Sequence, residues 1–194
     1  MRDFIVYIVG HSIANVRHLH NRWHDIRYRD VTFRVFIHCF STPGATLQSY
    51  LTSPAYKDLC EFPSPDLVIV FIGGNDIAQD TVVAELQYGI TKFCKHIEEV
   101  TNSFAKIFMI EPRNRLRGVD VDTYNRIRNS FNRNIQHRAR EYYPDRFVIT
   151  PLRFEYLAAD GVHPNPVGLA RLVYQIRRLI GSYLYRWHAH EVRQ

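Results

Sequence analysis

Short apolar runs alternate along the chain with longer segments in which apolar residues recur at a helical spacing. The short runs predict β-strands at residues 4–9, 31–38, 66–72, 104–110 and 146–150. Each run is followed by a connection long enough to cross over the sheet, as parallel strands require. The pattern therefore predicts the α/β class, with a five-stranded parallel sheet covered by helices on both faces.

Helices are predicted where apolar residues form a stripe with a period of about 3.6 residues. The longest stripes lie at 82–100, 124–142 and 169–183. A further helix is predicted at 12–23, and one or two short helices at 47–59. Strands and helices thus alternate along the chain.

The joints between predicted strands and helices carry glycines and polar residues. They lie at 10–12, 41–44, 73–76, 111–118 and 160–165. In open parallel sheets, ligands bind outside the carboxyl ends of the strands. We therefore expect all of these joints to lie at one edge of the sheet, around one catalytic or binding cleft.

Length and composition predict one domain spanning residues 1–194, because 46% apolar residues can fill a single core. No apolar run approaches the roughly 20 residues of a membrane-spanning helix, and no signal peptide is recognised. Cys39, Cys60 and Cys94 are widely spaced in or beside apolar segments, which predicts buried free thiols. These features together predict a soluble, intracellular protein.

The positive charge of the chain is concentrated in residues 113–153. This segment holds ten arginines and four acids, so its net charge equals the +6 of the whole chain. Arginine suits phosphate and carboxylate partners because its guanidinium is a planar fork of donors. An alternative function is therefore an accessory module that binds nucleic acid or anionic lipid through this segment. For residues 123–143 within this segment, an ordinary solvated outer helix is the simpler interpretation.

The predicted ligand edge holds the residue types that nucleophilic acyl transfer needs. Ser12 could act as the nucleophile, His163 as its base, and Asp160 as the acceptor that selects one imidazole tautomer. The oxyanion formed by the attack needs hydrogen-bond donors. The backbone N–H groups of Ser12 and Gly44 and the side-chain amide of Asn75 are candidates.

Each of these residues also has a structural interpretation. Ser12 precedes a predicted helix and could be its N-cap. Gly44 follows a proline in a turn, and Asn75 or Asp76 could cap a helix after the strand. The Asp-Gly pair at 160–161 is a common turn signal. Taken one at a time, none of these residues identifies an enzyme.

The order of these motifs resembles that of a known family. The motifs are Gly10-His11-Ser12, Gly44, Gly74-Asn75-Asp76 and Asp160-x-x-His163-Pro164. Together they resemble the four sequence blocks of the SGNH, or GDSL-like, hydrolases, from residue 8 to about 170. The resemblance implies a flavodoxin-like three-layer α/β/α fold and a chemistry without metal or cofactor. The GHS and IGGND stretches are also similar to esterase-like domains carried by some animal retrotransposons.

For the site, the resemblance implies Ser12 as nucleophile, Asp160 and His163 as its acid and base partners, and Ser12, Gly44 and Asn75 as oxyanion donors. We therefore expect a serine esterase that hydrolyses small-molecule or lipid esters, acetyl or longer, through an acyl-enzyme. The α/β-hydrolases place their serine in G-x-S-x-G, and no such motif surrounds Ser12.

His11 stands where the family usually has aspartate. It could pack within its loop or bind an anionic group of the substrate. Arg113, Arg115 and Arg117 follow the fourth predicted strand, at the ligand edge, and could contact an anionic head group near Ser12.

A histidine cluster near the first predicted helix is a candidate metal site. His20 and His24 are one helical turn apart, and His18 is close to them in sequence. No acid or cysteine at ligand spacing completes a site, so a solvated helix face is favoured and no metal is predicted.

Overall fold

The computed structural model describes most of the chain, and its strands form one sheet. The described residues are 2–14, 20, 22–28, 31–79, 83–101, 106–109, 120–142 and 157–191. The strands are β1 (Arg2–Gly10), β2 (Arg22–Tyr28), β3 (Val31–Ser41), β4 (Leu67–Phe71) and β5 (Lys106–Met109). Their order across the sheet is β2-β3-β1-β4-β5.

Four of these strands confirm the prediction from the apolar runs. β1, β3, β4 and β5 are parallel, in the spatial order β3-β1-β4-β5. The chain therefore crosses over to both sides of β1, as in flavodoxin-like sheets. The predicted strand at 146–150 and the joint at 111–118 lie outside the described residues.

The prediction of an all-parallel sheet is wrong at one edge, and so is part of the helix predicted at 12–23. Ser12–Ala14 forms only a single 3-10 turn, while Arg22–Tyr28 is β2, which pairs antiparallel with β3. Residues 15–19 lie outside the description. The described sheet is therefore mixed.

The side chains of β2 explain why this segment is a strand. His24 and Ile26 are half-buried, whereas Asp25 and Arg27 are exposed. Alternate residues of a strand point to opposite faces of the sheet, so this alternation suits an edge strand with one covered face. In a helix, these four successive residues would point in four different directions, and the two half-buried side chains would not share one face.

One face of the sheet packs against α6 (Pro166–Glu191). The strands contribute alternate residues to this layer, and α6 contributes a stripe of 3.6-residue period. The buried residues of the layer are Phe4, Val6, Ile8, Ala14, Phe33, Val35, Ile37, Leu67, Ile69, Phe71, Leu172, Ile176, Leu179, Ile180 and Leu184.

The opposite face packs against several helices. These are α1 (Leu47–Tyr50), α2 (Pro54–Glu61), α4 (Val83–Val100) and α5 (Val121–Tyr142). A short helix, α3 (Gly74–Ala78), follows β4 at the edge of the sheet. Helices on both faces of the sheet confirm the predicted three-layer α/β/α class.

The apolar stripe of α4 shows why the helix predictions succeeded. Leu86, Ile90, Phe93 and Ile97 are all nearly inaccessible to solvent. Burying such a side chain contributes about 1.5–3 kcal/mol, so the stripe commits this face of the helix to the sheet. The helices predicted at 47–59, 82–100, 124–142 and 169–183 are confirmed where residues are described.

The strand register brings the ends of three strands together. Gly10 pairs with Ser41 on one side and with Phe71 on the other. The joints that follow β1, β3 and β4 therefore start at the same level and at the same edge of the sheet. This alignment positions the candidate site.

The predictions about thiols and membrane segments can be compared with the described residues. None of the three cysteines forms a disulfide: Cys94 is buried and Cys39 half-buried, but Cys60 is exposed, contrary to the prediction. Cys60 lies on the solvent side of α2. Within the described part of the chain, no helix is both long and apolar enough to cross a membrane.

Candidate active site

The turn after β1 is shaped by a very close approach of two strands. Gly10 has a φ of 143°, and a Cβ there would lie 1.9 Å from the carbonyl oxygen of Phe71. Only glycine fits this position. The His11 N–H then donates to the same carbonyl oxygen of Phe71 at 3.0 Å, and Ser12 begins the 3-10 turn. The close approach therefore fixes Ser12 at the carboxyl edge of the sheet.

Ser12 and two residues far along the chain from it form a continuous hydrogen-bonded chain at this edge. Ser12 Oγ lies 2.9 Å from His163 Nε2. His163 Nδ1 in turn lies 2.7 Å from Asp160 Oδ2. The fold therefore brings together the predicted nucleophile, base and acid in the order that nucleophilic catalysis requires.

The carboxylate of Asp160 is held by its own loop. Its Oδ1 accepts hydrogen bonds from the backbone N–H groups of Val162 and His163, both at 2.9 Å. The Val162 N–H, the His163 side chain and the His163 N–H lower the pKa of Asp160 to about 2. A carboxyl whose pKa falls on folding stabilises the fold above its unfolded-state pKa, and this contribution is lost as the pH falls toward about 2. Asp160 is therefore ionised at neutral pH.

The site is open to solvent. The side chains of His163 and Asp160 are 47% and 50% exposed, and Ser12 is half-buried. Water can therefore reach the imidazole directly.

The joint after β3 lies beside the turn of Ser12. The Thr42 N–H donates to the Gly10 carbonyl at 2.9 Å, which ties this joint to β1. Gly44 is exposed and has a φ of 73°, a conformation that favours glycine. The side-chain Nδ2 of Asn75 donates to the Ala45 carbonyl at 2.9 Å. This bond shows which way the Asn75 amide faces, and it joins Asn75 to the residue that follows Gly44.

The sequence predicts Asp76 only as a possible helix cap, but in the structure Asp76 also holds a neighbouring joint. Its Oδ1 and Oδ2 accept the backbone N–H of Leu47 at 3.1 and 3.2 Å, and the residue is only 6% exposed. Burial raises the pKa of Asp76, while the bond from Leu47 acts in the opposite direction. Asn75 and Asp76 together therefore fasten the joint that carries Gly44 to the start of α3.

Asn165 was also missed, although it belongs to the quoted stretch at 160–165. It precedes Pro166, the first residue of α6, and its Oδ1 accepts the Gly168 N–H at 2.8 Å. An asparagine directly before a proline at a helix start is a recognisable N-cap signal. Its Nδ2 also donates to the Leu157 carbonyl at 3.2 Å, a contact that the sequence could not indicate.

The residues predicted to bind substrate are less well placed. His11 is only 6% exposed, so the geometry favours packing within the loop over contact with a substrate. Arg113, Arg115 and Arg117 lie outside the described residues, and their role stays a prediction.

The described arginines of the arginine-rich segment are not all exposed to solvent. Arg126 and Arg133 are exposed on α5, but Arg128 is only 8% exposed. Arg128 is therefore buried and is not part of a basic surface. Contact of the segment with nucleic acid or anionic lipid stays a prediction.

The histidines near the first joint do not share a helix face. His20 Nδ1 accepts the backbone N–H of Cys39 at 3.0 Å, and His24 lies on β2, 3.3 Å from an Arg177 nitrogen. The expectation of a solvated helix face is therefore wrong for these two residues, because His20 lies in a turn and His24 in β2. His18 lies outside the described residues.

Comparisons with known proteins agree with this architecture. The model of the GDSL-like lipase/acylhydrolase family matches residues 8–171. No curated protein matches the chain, and the similarity to retrotransposon domains is not supported by any match.

Solved structures cover nearly the whole chain. A catalytic mutant of Axe2, an acetylxylan esterase from Geobacillus stearothermophilus, is 18% identical with a TM-score of 0.64, over 92% of this chain and 94% of that chain. The lipase/acylhydrolase from Enterococcus faecalis is 21% identical with a TM-score of 0.62, over 94% and 97%. At such identities the likeness concerns the fold, and it confirms the predicted fold class.

Proposed function

Because the chain belongs to the GDSL-like lipase/acylhydrolase family, and is thus a carboxylic ester hydrolase, we propose that it cleaves esters through an acyl-enzyme formed on Ser12. The observation that carries this proposal is the hydrogen-bonded chain from Ser12 through His163 to Asp160. We propose that one domain, residues 1–194, carries out the whole reaction.

The first step is attack by Ser12 on the ester carbonyl carbon. As the bond from Oγ to carbon forms, the Oγ proton moves to His163 Nε2. Nε2 can accept this proton only when the imidazole carries its other proton on Nδ1. The ionised carboxylate of Asp160, 2.7 Å from Nδ1, favours that tautomer and stabilises the imidazolium that forms.

The negative charge of the tetrahedral intermediate falls on the former carbonyl oxygen. In this proposal the backbone N–H groups of Ser12 and Gly44 and the Asn75 amide donate to that oxygen. Asn75 Nδ2 bears two hydrogens, and the bond to Ala45 orients the amide. We assign the other hydrogen to the oxyanion.

Collapse of the intermediate breaks the bond to the alcohol oxygen, and the alcohol leaves with the proton from His163. Water then attacks the acyl-enzyme, gives a proton to His163, and the second intermediate releases the carboxylic acid as Ser12 recovers its proton. The exposure of the His163 side chain supports water as the second nucleophile. The proposal therefore specifies hydrolysis rather than acyl transfer.

The alcohol and acyl groups of the substrate are drawn from small-molecule or lipid esters. The two similar structures described above carry different names, an acetylxylan esterase and a lipase/acylhydrolase. Both acetyl and longer acyl esters therefore belong to the proposed substrate class, and a series of nitrophenyl esters of increasing chain length distinguishes them.

Replacing Asn75 with alanine tests the proposal through its oxyanion donors. We expect the wild-type protein to hydrolyse nitrophenyl acetate, and Asn75→Ala to lower kcat about 10²- to 10³-fold with KM nearly unchanged, because the lost donor acts mainly in the transition state. Steady-state kinetics on both proteins measure this effect.

Thr46→Ala is the matched control for this experiment. Thr46 lies in the same joint and caps α1 by accepting the Ser49 N–H. Its loss should cost about 1 kcal/mol of stability and leave kcat within about threefold. A wild-type protein without esterase activity would contradict the proposed function. An equal loss of kcat in both variants would show that loop displacement, not a missing donor, causes the effect.

A further inference from the structure

The loop that carries Asp160 and His163 is a closed unit. Leu157 pairs with Pro164 in a single antiparallel bridge, and the Ala158 N–H donates to the His163 carbonyl at 2.7 Å. Within the loop, the Gly161 N–H donates to the Ala158 carbonyl at 2.9 Å. The geometry of the acid and the base is therefore set by contacts inside residues 157–164.

The distance from His163 to Ser12 is not set inside this loop. Ser12 follows β1, so the 2.9 Å contact between Oγ and Nε2 depends on how the loop sits on the rest of the molecule. The loop leads directly into α6, which is packed on the sheet through residues such as Leu172 and Ile176. The junction between loop and helix is therefore the described connection that joins the loop to the packed layer of the sheet.

Asn165 bonds to both sides of this junction. Its Nδ2 donates to the carbonyl of Leu157, the first residue of the closed loop. Its Oδ1 accepts the N–H of Gly168, in the first turn of α6. A single amide thus connects the start of the loop to the helix that follows it.

We propose that Asn165 is a positioning residue that holds the Asp160–His163 loop in register with Ser12, in addition to capping α6. The inference rests on the proposed function, since it concerns the same nucleophile and base. A misplacement of reacting groups by about 1 Å can cost about 10²-fold in rate. A loop that rotates on α6 therefore loses activity without losing its fold.

Aspartate at position 165 separates positioning from capping. Asp and Asn are about equally good N-caps, and a negative charge is favourable at a helix N-terminus. The Asp carboxylate can therefore still accept the Gly168 N–H. It has no N–H to donate to Leu157, however, and places an oxygen against that carbonyl. Asn165→Asp thus keeps the cap and removes the link to the loop.

We expect Asn165→Asp to lower kcat for nitrophenyl acetate about 10- to 100-fold, with KM within about twofold and the melting temperature within about 3 °C of wild type. The comparison uses the pH plateau of kcat for each protein, so that an added charge near the base shifts only the midpoint of the profile. Asn165→Ala should lose kcat to a similar extent and also lose about 1 kcal/mol of stability.

Ser53→Ala is the matched control. Ser53 also precedes a proline at a helix start, and its side chain accepts the Tyr56 N–H at 3.2 Å, but it caps α2 away from the site. It should lose a similar amount of stability and keep the wild-type kcat. A lower kcat in both Asn165 variants, together with an unchanged kcat in Ser53→Ala, supports the positioning role of Asn165.

A spectroscopic measurement decides the inference independently of catalysis. In the ¹H–¹⁵N spectrum of the histidine rings, the His163 Nε2 signal of Asn165→Asp should move toward its position in Ser12→Ala, because both variants lose the contact to Oγ. Wild-type kcat and an unmoved Nε2 signal in Asn165→Asp would overturn the inference. If the wild-type protein hydrolyses no ester, the proposed function fails, and the Nε2 signal still tests the role of Asn165.

Discussion

Ser12→Ala is expected to lower kcat for nitrophenyl acetate by about 10⁴-fold or more, because no other group replaces the attacking oxygen. The substitution removes one side-chain hydrogen bond, to the half-exposed His163, and leaves the backbone of the turn intact. The melting temperature should therefore stay within about 3 °C of wild type. Steady-state kinetics and thermal unfolding by circular dichroism measure the two effects.

An exposed serine on α6 offers the control for this substitution. Ser182 lies on the solvent side of the helix, so Ser182→Ala should behave as wild type in both measurements. A folded Ser12→Ala protein that retains more than about one-tenth of the wild-type kcat would exclude Ser12 as the nucleophile.

The second large effect is expected for Asp160→Asn, which should lower kcat about 10³- to 10⁴-fold. The amide oxygen can still accept from the Val162 and His163 N–H groups, so the loop should keep its shape. The amide nitrogen, however, would donate to Nδ1 and move the imidazole proton to Nε2. His163 could then no longer accept the proton of Ser12.

The pH dependence of this loss provides its own check. Because the pKa of Asp160 is about 2, the wild-type carboxylate is ionised at every pH above about 4. The ratio of wild-type to Asp160→Asn kcat should therefore be constant over the pH range in which both proteins have reached their pH plateau of kcat. A ratio that changes within this shared plateau would show that Asp160 titrates there, in conflict with its backbone-held geometry.

The sequence predicts the central part of the fold well because burial there is complete. The run at 66–72 contains β4, and Leu67–Phe71 are all buried, so hydrophobic pattern and structure carry the same information. The stripe of α6 is equally direct, since one helix face lies on the sheet. Such elements are determined by which residues avoid water.

The edge strand β2 could not be predicted from the same pattern. Its sequence mixes charged and half-buried residues, so it contains no apolar run, and its strand conformation depends on pairing with β3. Short segments of this kind are decided by tertiary contacts rather than by local preference. The same reason applies to Arg128, whose burial depends on the packing of α5 rather than on its neighbours in sequence.

The candidate site likewise contains some residues that the sequence predicts and others that only the structure identifies. Ser12, Asp160 and His163 can be proposed from motif order, because acyl transfer needs these residue types together. The supporting contacts of Asp76 and Asn165 join backbone groups of other segments, Leu47 and Leu157, and only the folded chain reveals them. Sequence identifies the reacting groups, whereas structure identifies the residues that hold them.

Covalent labelling with a fluorophosphonate tests the central claim most directly, because the reagent phosphonylates a serine only when that serine is activated by a base. Trypsin releases Ser12 in the peptide 3–17, in which it is the only serine. We predict one label per protein molecule, on this peptide in the wild-type protein and absent in Ser12→Ala. Folded wild-type protein that takes up no label, or takes it up on another peptide, would contradict the assignment of Ser12 as the nucleophile.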